Sequence, residues 1–200
     1  NIKEVDLSKI KEVKRGRNFG IWYKPAGVLS DGSPFSDKGN MIFALKEMGI
    51  DAKLIHRLDR EVSGLMIFAY DRKMAAYFSE QLQAKNIKKY YQAIVKGKMD
   101  QTSEGVIDHK LDGKESLTKY QTVETVDYTT KVEIELITGR LHQIRRHFNK
   151  IGHPLMGDPK YGRGNKNDDG LQLCSHRLTY QCPQSEKFKT VELDQDLRLF

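Results

Sequence analysis

The distribution of apolar residues along the chain predicts several strands. The segments KYYQAIVKG (89–97) and TKVEIELIT (130–138) alternate apolar and polar side chains, as half-buried strands do. The runs FGIWY (19–23) and GLMIFAY (64–70) are almost continuously apolar, which predicts short buried strands. Pro25 follows the first of these runs, so we expect the chain to leave that strand in a loop.

Three further segments have apolar residues at helical spacing. The segment 71–86 is the longest, and Asp71 is available as its N-cap. The segment 41–50 is a shorter amphipathic helix closed by Gly49. A third helix is predicted to begin near Gly139 and to stop at Gly152 and Pro154. Its expected apolar stripe consists of Leu141, Ile144, Phe148 and Ile151.

Strands and helices are mixed without regular strand–helix–strand alternation, so the sequence predicts an α+β fold with a mixed sheet. A chain of 200 residues with 38% hydrophobic content can bury one core of ordinary size, or at most two small lobes. We find no internal repeat and no linker rich in Gly, Pro or Ser. A single domain over residues 1–200 is therefore expected.

Composition excludes several protein classes. No apolar run approaches the ~18 residues of a membrane span, and the opening NIKEVDLSKIKEVKRGR lacks the hydrophobic centre of a signal peptide. We therefore expect a soluble, cytoplasmic protein with no membrane partner. Cys174 and Cys182 are too few for a disulfide scaffold, and their spacing matches no zinc ribbon or redox pair. Both are expected to be reduced thiols.

Positive charge is concentrated in two stretches. The chain has 34 basic and 27 acidic residues, a net charge of +7. Between Lys85 and Lys98 there are five lysines and no acid, with two tyrosines among them. Between Arg140 and Lys166 there are seven basic residues against one acid, Asp158. A single charge run is usually a solvated face, but two such clusters interleaved with aromatic residues favour a nucleic-acid partner.

The stretch LIHRLDREVSGLMIFAY (54–70) places several charges in front of a buried strand. Asp59 would lie at the end of that strand, supported by rigid structure but able to face a cleft. A buried carboxylate needs cationic or hydrogen-bonding company. Arg57, two residues away, would share its face on extended chain. From these residues alone, a charged turn whose ions pair with one another is the simpler interpretation.

A resemblance to a known family changes that interpretation. The segment HRLDREVSGLMIFA resembles the H-R-L-D-x-x-T-S-G-L-hydrophobic signature of RluA-type pseudouridine synthases, which isomerise uridine to pseudouridine in RNA. Val62 stands where the family has threonine, and Arg146 where it has a small aliphatic residue. Four more segments resemble family segments in the family's order: WYKPAGV, KYYQAIVKG, TGRLHQIRRHF and IGHPLMGDPKYG.

The resemblance implies a cofactor-independent isomerase built on a largely antiparallel central sheet flanked by helices and loops. Asp59 would be the catalytic carboxylate, acting as nucleophile or base in its ionised form. Arg145 would keep the pKa of Asp59 low. Tyr91 would stack on the uracil and assist proton transfer. Because uridine in folded RNA is stacked, its base must be flipped out to reach Asp59.

Five residues are predicted to contact the RNA. Arg57 would fill the vacated space or hold a phosphate, and Arg140 would hold phosphate at the start of the third helix. Both His142 and Gln143 could donate to RNA oxygen atoms. His56, beside Arg57, is the fifth. No metal is expected, because five residues along a helix rotate His147 by roughly 140° from His142.

Two classes of function stay open at this stage. The first is an RNA pseudouridine synthase, and the second is a noncatalytic RNA-binding module on the same scaffold. Asp59 distinguishes the two functions, because its carboxylate repels the phosphates of RNA and a protein that only binds RNA does not need it. The appended basic RNA-binding domain of many relatives is not recognised, so we expect the catalytic domain to recognise a tRNA or rRNA stem-loop. We expect a monomer that uses no metal.

Overall fold

The computed structural model describes residues 7–32, 38–100 and 104–200. Part of the opening segment, in which no signal peptide is expected, lies outside these residues. Within them, none of the helices is both long and apolar enough to cross a membrane. The helices are α1 (Met41–Glu47), α2 (Arg72–Gln83) and α3 (Gln143–Lys150). The strands are β1 (Lys11–Gly16), β2 (Phe19–Lys24), β3 (Lys53–Leu54), β4 (Ser63–Ala69), β5 (Lys88–Lys96), β6 (Glu104–Ile107), β7 (Thr118–Val126), β8 (Thr129–Leu136), β9 (Leu173–Gln181) and β10 (Phe188–Glu192).

The chain divides into two compact units. The first contains residues 1–87 and 178–193, and the second contains residues 88–177 and 194–200. Strand β9 therefore begins in the second unit and ends in the first. Helices and antiparallel strand pairs are present in both units, which confirms the predicted α+β class.

The first unit is organised around the buried strand β4. Strand β2 pairs with β4 on one side and with β1 on the other, both antiparallel, and β3 also pairs with β4. All of β4 after its first residue is buried, as the apolar run predicts. Helix α2 contributes Phe78, whose ring lies 5.0 Å from Phe19 of β2, and Tyr180 of β9 lies 5.8 Å from Phe19. These rings form an aromatic core that supports the strand following Asp59.

In the second unit the strands are ordered β9-β5-β8-β7-β6. Tyr91 of β5 lies opposite Ile134 of β8, and Ile134 lies opposite Tyr120 of β7. Directly paired residues share a face of the sheet. On that face, Phe148 of α3 packs edge-on against Tyr120 at 5.4 Å. Tyr91 therefore lies on the sheet face that α3 covers.

Two of the three predicted helices have the expected ends. The side chain of Asp71 caps α2 by accepting from Met74 N at 2.7 Å, and Gly49 follows α1 with φ +79°. The predicted start of α3 is wrong: the helix begins at Gln143 and not near Gly139. His142 adopts a left-handed conformation with φ 51°, which separates the preceding residues from the helix. Leu141, predicted as part of the buried stripe, is 67% exposed.

Candidate functional site

The residues predicted to act on RNA fall into two groups, one in each unit. The first group lies on the loop between β3 and β4, and the second lies on β5, at the start of α3 and in the turn before it. Each group is built differently. The first consists of His56, Arg57 and Asp59, and the second of Tyr91, Arg140, His142, Gln143 and Arg145.

The loop that carries Asp59 is held on both sides of that residue. Before it, Ser30 Oγ donates to Leu58 O at 2.7 Å and accepts from Leu58 N at 3.0 Å. After it, Arg60 O accepts from Gly27 N at 2.7 Å, and Arg60 Nε donates to Gly27 O at 3.2 Å. Asp59 itself is half-buried. The loop after β2 thus fixes the backbone that presents this carboxylate.

A buried lysine reinforces this arrangement. Lys24, at the end of β2, has no exposed surface, although a charged group is costly to bury. Burial lowers the pKa of Lys24 to about 7, and the carboxylates of Asp59 and Glu61 act in the opposite direction. Sequence reasoning assigned Lys24 no role, although a lysine ending an apolar strand was the available signal. Its Nζ donates to three backbone oxygens, those of Pro25 (3.1 Å), Val28 (2.7 Å) and Arg60 (3.3 Å).

The two other residues of the first group differ in exposure. His56 is buried, and its Nε2 accepts from Ile67 N of β4 at 3.1 Å, so that nitrogen carries no proton. The ring therefore anchors the loop to the strand, and its contact with RNA stays a prediction. Arg57 is exposed, and its contact with RNA also stays a prediction.

On β5 the side chains alternate between the two faces of the sheet. Tyr91 is buried on the face that α3 covers. Lys89 shares that face, and its Nζ lies 3.5 Å from the position a Cβ on Gly139 would occupy. Burial lowers the pKa of Lys89. Tyr90 points to the other face, where the Arg177 guanidinium lies 4.3 Å from its ring centroid.

Arg145 is buried in a bidentate ion pair that sequence reasoning did not predict. Its Nε and Nη2 each lie 2.8 Å from a carboxylate oxygen of Asp158, with side-chain exposures of 2% and 0%. Burial alone would raise the pKa of Asp158, but hydrogen bonds from Arg145 and from the backbone N–H groups of Lys160 and Tyr161 lower it. Asp158 was visible in the sequence as the lone acid of a basic stretch. Its carboxylate orients the guanidinium.

Tyr161 joins two of the predicted residues. Its hydroxyl lies 2.9 Å from His142 Nδ1, and the Arg145 guanidinium carbon lies 5.3 Å from its ring centroid. Tyr161 belongs to the segment IGHPLMGDPKYG, which resembles a family segment, but the sequence alone predicted no role for it. The expected role of Arg145 beside Asp59 stays a prediction, while Asp158 is the carboxylate that binds Arg145 within its own unit.

The structure gives Gln143 a task other than the predicted one. The residue is buried, and its Nε2 donates to Leu117 O and Thr118 Oγ1, both at 3.0 Å. Its Oε1 accepts from Thr138 Oγ1 at 2.7 Å and from Arg140 N at 3.0 Å. Both amide hydrogens are used inside the protein, so none is left to donate to RNA. Gln143 instead ties the turn before α3 to β7.

The remaining charged residues around α3 point in different directions. Arg140 is exposed, and its Nε donates to Glu115 O at 3.2 Å. Arg146 faces outward as expected and pairs with Asp112 at 2.8 and 2.9 Å. His147 is buried, with its ring nitrogens 2.9 Å from Thr118 Oγ1 and from His109 O. In residues 7–32, 38–100 and 104–200, no group of three or more His, Cys, Asp or Glu could hold a metal ion.

Comparison with known proteins gives consistent matches. A family model described as RNA pseudouridylate synthase matches residues 18–150. The dual-specificity RNA pseudouridine synthase RluA of Vibrio cholerae is 35% identical over 84% of this chain and 76% of that protein. The tRNA pseudouridine synthase C of Haemophilus ducreyi is 34% identical over 70% of this chain and 68% of that protein. Ribosomal large subunit pseudouridine synthase C of Pasteurella multocida is 33% identical over 78% of this chain and 53% of that protein.

The fold agrees with these matches. The human RNA Pseudouridylate Synthase Domain Containing 1 structure superimposes with a TM-score of 0.80 at 23% identity, over 95% of this chain and 85% of that one. At this identity the likeness concerns the fold alone, and it confirms the expected one. The chain spans about half the length of several curated relatives that it matches. The family model covers most of the chain and one relative exceeds a third in identity over more than four fifths of it, so the chain belongs to the RNA pseudouridylate synthase family.

Proposed function

We propose that this chain isomerises uridine to pseudouridine in structured RNA, with Asp59 as the catalytic carboxylate. In this reaction the bond between C1′ and N1 breaks and C1′ joins C5 of the same uracil. The hydrogen of C5 leaves as a proton and N1 takes one up, so no cofactor or co-substrate is consumed. One observation carries the proposal: Asp59 is half-buried on a loop whose backbone is hydrogen-bonded on both sides of it.

A fixed loop matters because the carboxylate must meet its target at a defined position. Holding a reacting group in place removes most of the entropy cost of bringing it to the substrate. Asp59 acts in the ionised form, as nucleophile or as base. Lys24 Nζ donates to the backbone oxygen of Arg60, which directly follows Asp59, and so helps to hold the carboxylate in place.

The residues of the second unit have supporting roles in the proposal. Tyr91 stacks on the flipped uracil, and the orientation of Arg145 is set by Asp158. Arg145 stabilises the negative charge of the reacting carboxylate. The exposed Arg57 fills the position that the flipped base leaves in the stack, or holds a phosphate. The exposed Arg140 holds a phosphate, and the half-buried His142 donates to an RNA oxygen atom.

The RNA is proposed to be a tRNA or rRNA stem-loop. Relatives named for tRNA, for the large ribosomal subunit and for dual specificity all match this chain at similar identity. The net charge of +7 suits a polyanionic substrate. The proposal includes a monomer that acts in the cytoplasm without a metal. Sequencing modified uridines in a strain that lacks the protein would identify the RNA and the position.

Release of tritium from RNA labelled at uridine C5 tests the proposed reaction. We expect the wild type to release tritium, and Asp59→Asn to release it at least about 10²-fold more slowly, since a positioned acid–base group contributes that much or more. Glu61→Gln is the matched control, because it removes a carboxylate from the same loop. It should keep most of the activity.

The alternative function, an RNA-binding module without catalysis, predicts a different pattern. Wild type and Asp59→Asn would both bind RNA tightly and neither would release tritium. If wild type and Asp59→Asn release tritium at equal rates, the protein is an enzyme but Asp59 is not its catalytic carboxylate.

A further inference from the structure

Leu141 is exposed although its spacing predicts burial. Ile144 and Phe148, its expected partners on the apolar stripe, are buried, whereas Leu141 is 67% exposed. The left-handed backbone of His142 ends the turn that carries Leu141 and keeps that residue off the helix. The side chain therefore adds little to the core of its own unit, and its apolar surface is accessible to a binding partner.

The backbone around Leu141 is fixed. Arg140 N donates to Gln143 Oε1 at 3.0 Å, and Gln143 N donates to Arg140 O at 3.1 Å. Arg146 N donates to His142 O at 2.9 Å, and Arg146 Nη1 reaches Leu141 O at 3.4 Å. An exposed apolar residue on a held turn loses little conformational freedom when a partner covers it. Single exposed apolar residues are common on protein surfaces, but Leu141 is carried by a turn that hydrogen bonds hold in place.

The charges near this turn favour a polyanionic partner. Lys89 lies against Gly139, and Arg140 is exposed directly before Leu141. No carboxylate among the described residues forms an ion pair with either of these two cations. Two further carboxylates of the second unit are matched by cations. They form the pairs Arg146–Asp112 and Lys110–Glu115, each at 2.8 Å.

An exposed apolar side chain next to an exposed cation is complementary to RNA. A nucleobase offers an apolar face, and the phosphates on either side of it offer negative charge. Proteins that distort nucleic acids insert aliphatic side chains such as leucine against bases that have lost a stacking partner. Flipping a uridine creates such a base next to the vacated position.

We propose that Leu141 is a wedge that packs against the face of a nucleobase beside the target uridine, while the exposed Arg140 holds an adjacent phosphate. This inference rests on the proposed function, because flipping the target uridine leaves a neighbouring base uncovered. In this role Leu141 binds the RNA substrate through apolar contact and not through charge.

Kinetics on tritium-labelled bulk RNA test the wedge. We expect Leu141→Ala to lower kcat/KM about tenfold, because the free energy gained by burying the leucine side chain against a base is lost. The effect should lie mainly in KM, since binding is weakened before and during the reaction alike. Val106→Ala is the matched control, because Val106 is 59% exposed in the same unit, and it should leave kcat/KM unchanged.

Salt dependence separates the wedge from the cations. Affinity for RNA falls with salt in proportion to the phosphate contacts made. Leu141→Ala should weaken binding of a transcribed hairpin RNA at every salt concentration without changing the slope of log K against log salt. Arg140→Ala should reduce that slope by about one. The melting temperature of Leu141→Ala should equal that of the wild type, since the side chain is exposed.

A fluorescent probe tests the contact without turnover. The chain has one tryptophan, Trp22, which is buried and serves as a constant background. We expect the added indole of Leu141→Trp to be quenched when the hairpin RNA saturates the protein, and that of Val106→Trp to be unaffected. Stacking on a base produces such quenching.

The wedge and the proposed function can fail separately. If Leu141→Ala matches Val106→Ala in KM and in hairpin affinity, and the two added indoles respond alike, the wedge is wrong while a wild type that releases tritium keeps its function. If the wild type releases no tritium, the proposed function is wrong, and the hairpin affinity and indole measurements still decide the wedge.

Discussion

Two neighbouring arginines on α3 make the same ion pair in different surroundings. Arg145 binds Asp158 through two hydrogen bonds of 2.8 Å, and Arg146 binds Asp112 through two of 2.8 and 2.9 Å. Side-chain exposures are 2% and 0% for the first pair, but 23% and 68% for the second. Consecutive helix residues point about 100° apart, so one arginine faces inward and the other outward.

Two ion pairs with nearly the same hydrogen-bond distances can therefore differ in how much they contribute to stability, because one is buried and the other is exposed. Water can replace Asp112 as the partner of Arg146, so this pair is expected to matter little for folding. Water cannot reach Arg145, and its charge depends on the carboxylate that orients it. The buried pair therefore links the stability of the second unit to the direction of a guanidinium in the candidate site.

The largest expected effect follows from neutralising the buried carboxylate. Asp158→Asn removes the carboxylate charge that the buried Arg145 guanidinium binds through two hydrogen bonds, and we expect a loss of about 3–5 kcal/mol in the free energy of unfolding. Urea unfolding followed by circular dichroism would measure it. Asp112→Asn is the control with the same chemical change. Equal losses in the two variants would contradict the assigned difference between the pairs.

Low pH should remove most of the difference in unfolding free energy between wild type and Asp158→Asn. The folded-state pKa of Asp158 is below its ordinary value. A carboxyl of this kind stabilises the fold above its ordinary pKa, about 3.9, and the contribution is lost as pH falls through the lower folded value. Unfolding free energies measured from neutral pH down to about pH 2 should converge for the two proteins. A constant gap would show that the carboxylate charge is not the cause.

Lys24 extends the comparison to a buried cation held by backbone oxygens. Its pKa is about 7 in the fold and 10.5 ordinarily, so between these values the unfolded chain binds more protons. Stability should therefore rise with pH in that window, by up to about 1.4 kcal/mol per pH unit. The wild type minus Lys24→Met difference in unfolding free energy, measured between pH 6 and pH 9, should show this rise. Exposed Lys46→Met should show none.

The smallest effect is expected for the exposed pair. Asp112→Asn should change the unfolding midpoint several-fold less than Asp158→Asn does. Added salt should reduce the remaining effect, because exposed charges are screened and buried ones are not. Urea midpoints at low and high salt would measure both statements. A large, salt-independent loss would show that Asp112 has a structural role beyond its pairing with Arg146.

The sequence predicted the elements whose burial follows a simple period. Strands β2, β4, β5 and β8 and helices α1 and α2 lie where their apolar residues indicate. Strand β7 lacked such a signal because its buried positions include Thr118 and Thr122, which hydroxyl hydrogen bonds accommodate. Periodicity registers apolar residues, so a strand with a polar inner face is missed.

The candidate site was predicted unevenly for a related reason. Asp59 was identified because its segment resembles a family signature, and the structure shows the loop that holds it. Lys24 and Asp158 were missed because each binds a residue of another element: Arg60 lies 36 residues from Lys24, and Arg145 of α3 lies 13 residues from Asp158. Gln143 was assigned to RNA because the sequence does not show that Leu117 and Thr118 accept both of its amide hydrogens.

By itself, the sequence determined the α+β class, most apolar strands, two helix caps and the family, because these depend on local period and on residue identity. Tertiary structure decided which charges are buried, which carboxylate Arg145 binds, and that Leu141 faces outward. Those outcomes depend on which loops come together and on where a single left-handed residue starts a helix. Local sequence leaves both open, and packing of distant segments sets them.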